Sequence, residues 1–283
     1  NKDLRDWLSA IEAIGELKVI KGAEPKEEIG GIVDIYMRKM GNPAGMFDEV
    51  PGFPKGHRVL ANILTSVPRI NIALGLPPDT PKMEIVRYAA KKMKGAQPIP
   101  PREVETGPVM ENVFRGDACD LTKLPVLKSH RLDGGRFIGT GDSLINRDPE
   151  TGYVNVGTYR VQVHDKNTVG LDMIPGKHGA QQYEKHMKAG KPFPVAIVCG
   201  ADPLGYLISG IEVPYGMCEY NYIGAILGEP VQVVRGEVTG LPFPSGAELV
   251  LEGWAHPGDE RRVDGCHVLR RDAVLEEIVA ELF

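Results

Sequence analysis

Apolar residues recur along the first hundred positions at helical spacing and then at strand spacing. Leu4, Trp7, Leu8, Ile11 and Ile14 fall on one face, a three-and-four pattern that lets a helix bury a single stripe. Asp3 precedes that stripe as an N-cap, and Gly15 stops it. Residues 16–20 alternate like a strand, and a second helix is expected over about 26–40. Short strands follow at 46–50 and 58–64, then helices near 67–76 and 81–94. The last begins with a proline suited to a first helical turn. This alternation predicts a small α/β domain over 1–101. The run Gln97-Pro-Ile-Pro-Pro-Arg102 closes it as an extended linker, because prolines restrict both themselves and the residues before them.

Beyond the linker the apolar period changes to two. Residues 136–145, 153–163 and 168–174 are β-rich, separated by the turns Arg147-Asp-Pro-Glu-Thr-Gly152 and His164-Asp-Lys-Asn167. They predict an antiparallel meander. A helix over 180–188, a buried strand at 194–199 and a helix over 218–227 follow. Strands 231–238 and 248–254 are expected to pair with each other. Strands folded around a few helices favour a partly open barrel over a doubly wound sheet, so the fold class is α+β. Residues 271–283 read as a helix-like piece.

Composition narrows the function classes. A chain of 283 residues that is 42% hydrophobic and 25% charged is not disordered. Its 33 basic and 38 acidic residues give a charge of -5 with no basic block. A nucleic-acid or anionic-membrane partner is therefore disfavoured. The longest apolar run, around 193–199, is too short to span a bilayer, and the opening Asn-Lys-Asp-Leu-Arg is not a secretory signal. A start at Asn1 rather than Met leads us to expect trimmed ends. Cys119, Cys199, Cys218 and Cys266 are scattered without a CxxC pair. Free thiols in a reducing, cytoplasmic compartment are the expectation.

No GxxxxGK[ST], no GxGxxG opening a helix, no HExxH and no GxSxG is present, which removes the usual support for the folds those motifs mark. A polar set remains in the β-rich half. Asn155 and Arg160 lie near the two ends of one expected strand, and neither is a natural strand former. A buried arginine there would need an anion. His178 stands at a loop-to-helix junction, and Glu219 opens a helix. One amide, one imidazole and one carboxylate suit Mn²⁺ or Mg²⁺ holding a phosphate. Each residue also has an ordinary structural reading: Asn155 in a turn or bulge, His178 as a helix cap, Glu219 as a first-turn acid, Arg160 pairing across the barrel.

Four blocks carry a family resemblance: Arg147-Asp-Pro-Glu-Thr-Gly-Tyr-Val-Asn-Val-Gly-Thr-Tyr-Arg160, Ile174-Pro-Gly-Lys-His178-Gly, Glu219-Tyr-Asn-Tyr-Ile-Gly-Ala-Ile-Leu-Gly-Glu-Pro230 and Pro244-Ser-Gly-Ala-Glu-Leu-Val-Leu-Glu-Gly253. In this order they resemble the UbiD family of prenylated-FMN-dependent (de)carboxylases. The resemblance implies a flavin-reductase-like split β-barrel over 102–265. It implies that Asn155, His178 and Glu219 ligate the metal that grips the cofactor phosphate, with K⁺ beside it. Thr140 matches a position touching the flavin. Gly157, Thr158 and Lys177 would line the same pocket, and Ser209 falls near the phosphate-side loop. Arg160 matches the arginine of a carboxylate–arginine–carboxylate network whose first acid is Asp264.

The pattern departs after Gly265. Cys266-His267-Val268 stands where the family has Pro-Phe-Gly, and the second, proton-transferring acid has no counterpart. The family's C-terminal α/β domain is largely absent. Residues 266–283 are accordingly expected to be a helical fragment following a gap in the sequence. Glu248 and Glu252 lie upstream of the acidic motif and read as structural. The implied activity is reversible, non-oxidative decarboxylation of an aromatic, heteroaromatic or α,β-unsaturated carboxylic acid, with CO₂ as partner product. A flavin prenyltransferase would supply the cofactor, and a homodimer or larger homo-oligomer is implied. Two alternatives are a non-catalytic subunit of a multi-subunit carboxylase and a plain FMN reductase.

Overall fold

A computed structural model describes residues 3–38, 41–94, 97–139, 141–258, 260–261 and 270–280. The first helix, α1 (Leu4–Ala13), begins where the Asp3 carboxylate accepts from the Asp6 N–H at 2.9 Å. It ends as the chain turns through Gly15 at φ +75°, the left-handed region that glycine enters without strain. Then come β1 (Leu17–Lys21), α2 (Glu28–Arg38), β2 (Ala44–Asp48), β3 (Val59–Ala61), α3 (Val67–Ala73) and α4 (Lys82–Lys94). β1 runs parallel to β2, and β3 antiparallel to β2. The apolar stripe of α1 puts Leu4, Trp7 and Ile11 into a core with Ala44 and Ala73.

Arg69 of α3 is fully buried there and completely engaged. Its guanidinium donates to Glu16 Oε2 at 2.6 Å, Thr65 Oγ1 at 2.6 Å, and the carbonyls of Asn42 at 2.8 Å and Ile63 at 3.0 Å.

The proline-rich segment leads into β4 (Arg102–Glu103) and then β5 (Asn112–Arg115), β6 (Arg136–Gly139), β7 (Asp142–Arg147), β8 (Val154–Gly157), β9 (Arg160–Val163) and β10 (Thr168–Asp172). After these come α5 (His178–Lys188), β11 (Phe193–Cys199), α6 (Pro203–Ser209) and α7 (Glu219–Leu227). The last strands are β12 (Gln232–Arg235), β13 (Pro242–Pro244), β14 (Leu249–Ala255), β15 (Glu260–Arg261) and β16 (Arg270–Ala280). The main sheet runs β6-β9-β10-β16-β14-β11-β7-β8, with β5 and β15 pairing to β16. A separate three-stranded sheet holds β13-β12-β4. The chain is thus a mixed α+β fold with a sheet-rich second half.

Two expected strands are each broken in the middle, and their halves lie at opposite ends of the main sheet. β6 and β7 flank residues 140–141, and β8 and β9 flank Thr158-Tyr159. Strands so close in sequence can occupy opposite ends only if the sheet curls until those ends adjoin. The two breaks are the places where the ends meet. β12 and β14 do not pair with each other either: β12 pairs with β13, and β14 lies between β16 and β11.

The helix expected over 271–283 is a strand through residue 280. Ala273 and Leu275 are buried while Val274 and Glu276 are exposed, which is the alternation of a pleated strand and not a helical stripe. The segment lies between β10 and β14, where ladder hydrogen bonds on both edges override helix propensity. Residues 266–269 and 281–283 lie outside the described residues.

Candidate active site

Three residues just before and within β8, Tyr153, Asn155 and Val156, hold most of the predicted site together. The main-chain N–H of Val156 donates to Glu219 Oε2 at 2.7 Å, which ties the start of α7 to the strand. Asn155 Nδ2 donates to Asn146 Oδ1 on the neighbouring β7 at 3.0 Å. Asn146 in turn donates to Gln182 of α5, and Gln182 Nε2 donates to the Tyr153 carbonyl at 3.5 Å. The hydroxyl of Tyr153 and His178 Nδ1 are hydrogen-bonded at 3.3 Å. So Asn155, His178 and Glu219, which the sequence spreads over 65 positions, are all tied to β8 or to the residue just before it.

The chemistry of this set is unfinished. Glu219 is 3% exposed, and among the described residues no Lys, Arg or His forms an ion pair with it. Burial pushes its carboxyl up to about 7, against the pull of the Val156 N–H. The relay from Asn155 to Asn146 commits one amide N–H as donor, and the Asn155 side chain is also hydrogen-bonded to the Tyr159 hydroxyl; its Oδ1 is the atom of the amide that can ligate a metal. Burial holds the half-buried His178 imidazole below its ordinary value and so favours the neutral ring. No group of three or more His, Cys, Asp or Glu suited to a metal occurs among the described residues. The donors here are instead one carboxylate, one imidazole and one amide oxygen, a mixture that fits a hard or borderline divalent cation.

The N-terminus of α5 is docked beside the set by Tyr159, whose hydroxyl accepts from the Gly179 N–H at 2.9 Å. The ring lies in a slot between Gly157 and Gly179. A Cβ on either glycine would come within 2.5 Å or 2.7 Å of it, so both positions need glycine for close approach. Thr158 and Ser209 meet across the break between β8 and β9: their hydroxyls are 2.8 Å apart, and the Thr158 N–H donates to the Ser209 carbonyl at 3.1 Å. Ser143 of β7 donates to Ser209 Oγ at 3.1 Å. These three clustered hydroxyls include Ser143, which sequence reasoning missed.

Arg160 is not the buried residue the strand reading implied, nor does it share a strand with Asn155. It is the exposed first residue of β9, because the break at 158–159 starts a new strand on the curled edge. Its guanidinium lies 5.6 Å above the Phe137 ring, a cation–π contact, and among the described residues it has no carboxylate partner. Lys177 is half-exposed and paired with Glu212 at 2.8 Å. Thr140 and Asp264 lie outside the described residues, as does Cys266. The three described cysteines, Cys119, Cys199 and Cys218, are free thiols. Glu248 binds Arg5 at 2.9 Å, whereas Glu252 is buried and accepts from the Thr239 N–H at 3.1 Å. Neither reaches the set around β8.

A cavity of about 690 Å³ lies between the first α/β unit and the main sheet. Phe137, Gly139, Gly141, Ser143 and Tyr206 form its sheet-side wall. It therefore adjoins both the hydroxyl cluster and the break between β6 and β7. Its size falls in the usual range for small-molecule sites, and it sits where two units meet. Sequence reasoning also missed Tyr153 and Tyr215, whose rings meet His178, and the buried Asp148 that holds the Tyr215 hydroxyl. Burial opposes ionisation of Asp148, but bonds from Lys185 and Tyr215 prevail and hold the carboxyl below its ordinary range.

Residues 102–268 match the 3-octaprenyl-4-hydroxybenzoate carboxy-lyase Rift-related domain of UbiD, and residues 8–91 match the corresponding N-terminal domain. The chain is 35% identical over 260 residues to the pyrrole-2-carboxylic acid decarboxylase of Pseudomonas aeruginosa, covering 89% of this chain and 52% of that protein. It is 33% identical over 271 residues to a phenolic acid decarboxylase of a Streptomyces species, covering 93% and 56%. Among solved structures, the closed form of the Sedimentibacter hydroxybenzoicus vanillic acid decarboxylase superposes with a TM-score of 0.91 at 29% identity, covering 99% of this chain and 62% of the other. An evolved dimeric form of the UbiD-class enzyme HmfF from Pelotomaculum thermopropionicum in complex with prFMN gives 0.88 at 26%, covering 99% and 65%. The chain spans about half the length of the curated relatives it matches. No helix among the described residues is long and apolar enough to cross a membrane. With both matched domains in order along it, the chain belongs to the UbiD family.

Proposed function

We propose that this chain carries the cofactor-binding part of a prenylated-FMN-dependent carboxy-lyase. Its reaction would be reversible decarboxylation of an aromatic, heteroaromatic or α,β-unsaturated acid with release of CO₂. One observation carries the reading. Glu219 is a buried carboxylate that, among the described residues, is answered by backbone N–H groups alone; the strand it is tied to also holds the Asn155 amide, and Tyr153 just before that strand bonds the His178 imidazole. Such a set is stabilised when a divalent cation enters. Asn155, His178 and Glu219 would hold Mn²⁺ or Mg²⁺, which would in turn grip the flavin phosphate, with K⁺ beside it. The curled sheet is read as a flavin-reductase-like split β-barrel over 102–265, following an α/β domain over 1–101.

When bound, prenylated FMN supplies the electron sink for losing CO₂. The protein's own groups bind and orient. By the family resemblance, Ser209, Thr158 and the backbone at Gly157 would line the phosphate side, and Thr140 and Lys177 would serve the same pocket. Arg160, which has no carboxylate partner among the described residues, would clamp the substrate carboxylate, to which a guanidinium presents two parallel donors. By the family resemblance, Asp264 would be the first acid of the proton-transfer network. Cofactor supply by a flavin prenyltransferase, a cytoplasmic location and a homodimeric or larger assembly complete the reading.

The test is to produce the protein together with a flavin prenyltransferase, with Mn²⁺ and K⁺ supplied, and to record its visible and mass spectra. A bound prenylated flavin is expected; its absence contradicts the reading. Arg160→Ala should then abolish CO₂ release from a responsive acid while the flavin stays bound. Substantial turnover by that variant removes Arg160 from the role. Cofactor binding by the parent without turnover of any acid would instead favour the non-catalytic subunit.

A further inference from the structure

Tyr153 stands one residue before β8 and two before Asn155. Its hydroxyl is bonded to His178 Nδ1 at 3.3 Å, and the two rings stand edge to face with centroids 6.2 Å apart. Tyr215 meets the same imidazole edge-on at 5.1 Å and meets Tyr153 at 5.3 Å. The Tyr215 hydroxyl is itself committed, donating to the buried Asp148, which also accepts from Lys185 Nζ at 2.7 Å. The His178 ring is thus braced by two aromatic edges, and one of them engages a ring nitrogen.

We infer that Tyr153 is a positioning residue for His178: its hydroxyl oxygen accepts the Nδ1 proton and so presents the Nε2 lone pair to the set formed with Asn155 and Glu219. The inference deepens the metal-site reading above and rests on it. A neutral imidazole carries one N–H, and the partner of one nitrogen decides which nitrogen keeps the proton. If the phenol donated to Nδ1 instead, Nε2 would carry the proton and could not ligate. Partners of this kind on a ligating histidine fix both tautomer and ring orientation. Tyr215 fixes the ring plane without competing for the proton.

The experiment uses the whole chain with ¹⁵N-labelled histidine and no added metal. Long-range ¹H–¹⁵N spectra should show His178 as the Nδ1–H tautomer, and Tyr153→Phe should shift the ring toward Nε2–H. Mn²⁺ alone, titrated and followed by the electron paramagnetic resonance of the free ion, should bind about 10–100-fold more weakly to Tyr153→Phe. An Nε2–H tautomer in the parent overturns the inference, and this arm decides the matter even if the variant does not fold. Tyr153→Phe with the parent's tautomer and Mn²⁺ affinity also overturns it. A parent that shows Nδ1–H but binds no Mn²⁺ would support the role of Tyr153 while refuting the metal site.

Discussion

Two buried charges in this chain are treated in opposite ways. Arg69 in the first α/β unit meets one carboxylate, one hydroxyl and two carbonyls, all at 3.0 Å or less. Glu219 in the second half meets a backbone N–H and no cation among the described residues. A charge withdrawn from water must be compensated or it destabilises the fold. At Arg69 the protein completes the compensation itself. At Glu219 it leaves the compensation to something that binds. A finished polar cluster reads as structure, and an unfinished one reads as a site.

The largest effect expected from breaking this contrast is at the finished cluster. Arg69→Met should lower stability by about 3–5 kcal/mol, because Glu16 and two carbonyls lose their partner. Urea denaturation would measure this, and Mn²⁺ affinity should stay near the parent's in whatever fraction remains folded. A loss well under 1 kcal/mol would mean that Arg69 is not the structural charge described.

Glu219 should instead reveal itself through pH. An ordinary glutamate ionises near 4.5, and burial raises this one to about 7. Between those values the folded chain retains a proton that the unfolded chain has released. The metal-free fold is therefore favoured most below 4.5 and weakened as pH rises to about 7, by about 3 kcal/mol for this group. Asp142 and Asp202, also raised by burial, slope in the same direction, so the comparison must be made against a variant. Glu219→Gln should flatten part of the slope between pH 5 and 8 in denaturant midpoints. An unchanged slope would contradict the shift.

The smallest effect concerns the slot that seats α5. Gly179→Ala would drive a Cβ to 2.7 Å from the Tyr159 hydroxyl, and the ring would have to move. A cost of about 1–3 kcal/mol is expected from overpacking, with loosened Mn²⁺ binding because His178 adjoins the displaced turn. Thermal unfolding and Mn²⁺ titration of this variant separate the two consequences.

Much of this contrast could be read from the residues, though unevenly. Asp3, the apolar stripe and Gly15 delimit α1 within a residue, since cap, stripe and stop are all local signals. Asn155, His178 and Glu219 stood out as polar residues at element junctions. The sequence could not reveal the two strand breaks, because Thr158-Tyr159 is as suited to a strand as its neighbours. The break exists because the sheet curls, and curling is a property of the whole sheet. β16 was misread because its Leu-Glu-Glu-Ile-Val run satisfies a helical pattern as well as a strand, and flanking strands decide between them. α6 was missed although Asp202-Pro203 and Gly210 are recognisable start and stop signals. The finished state of Arg69 rests partly on Asn42 and Glu16, 27 and 53 positions away, and Glu219 meets Val156 63 positions away, which no local pattern encodes.

The most direct measurement of the central claim is a Mn²⁺ titration of the parent chain and of Glu219→Gln at pH 8, where the parent carboxyl is ionised. Bound ion would be followed by electron paramagnetic resonance. The account predicts one tight Mn²⁺ per parent chain and loss of that site in the variant, with the fold retained. Equal Mn²⁺ binding by the two proteins would contradict it.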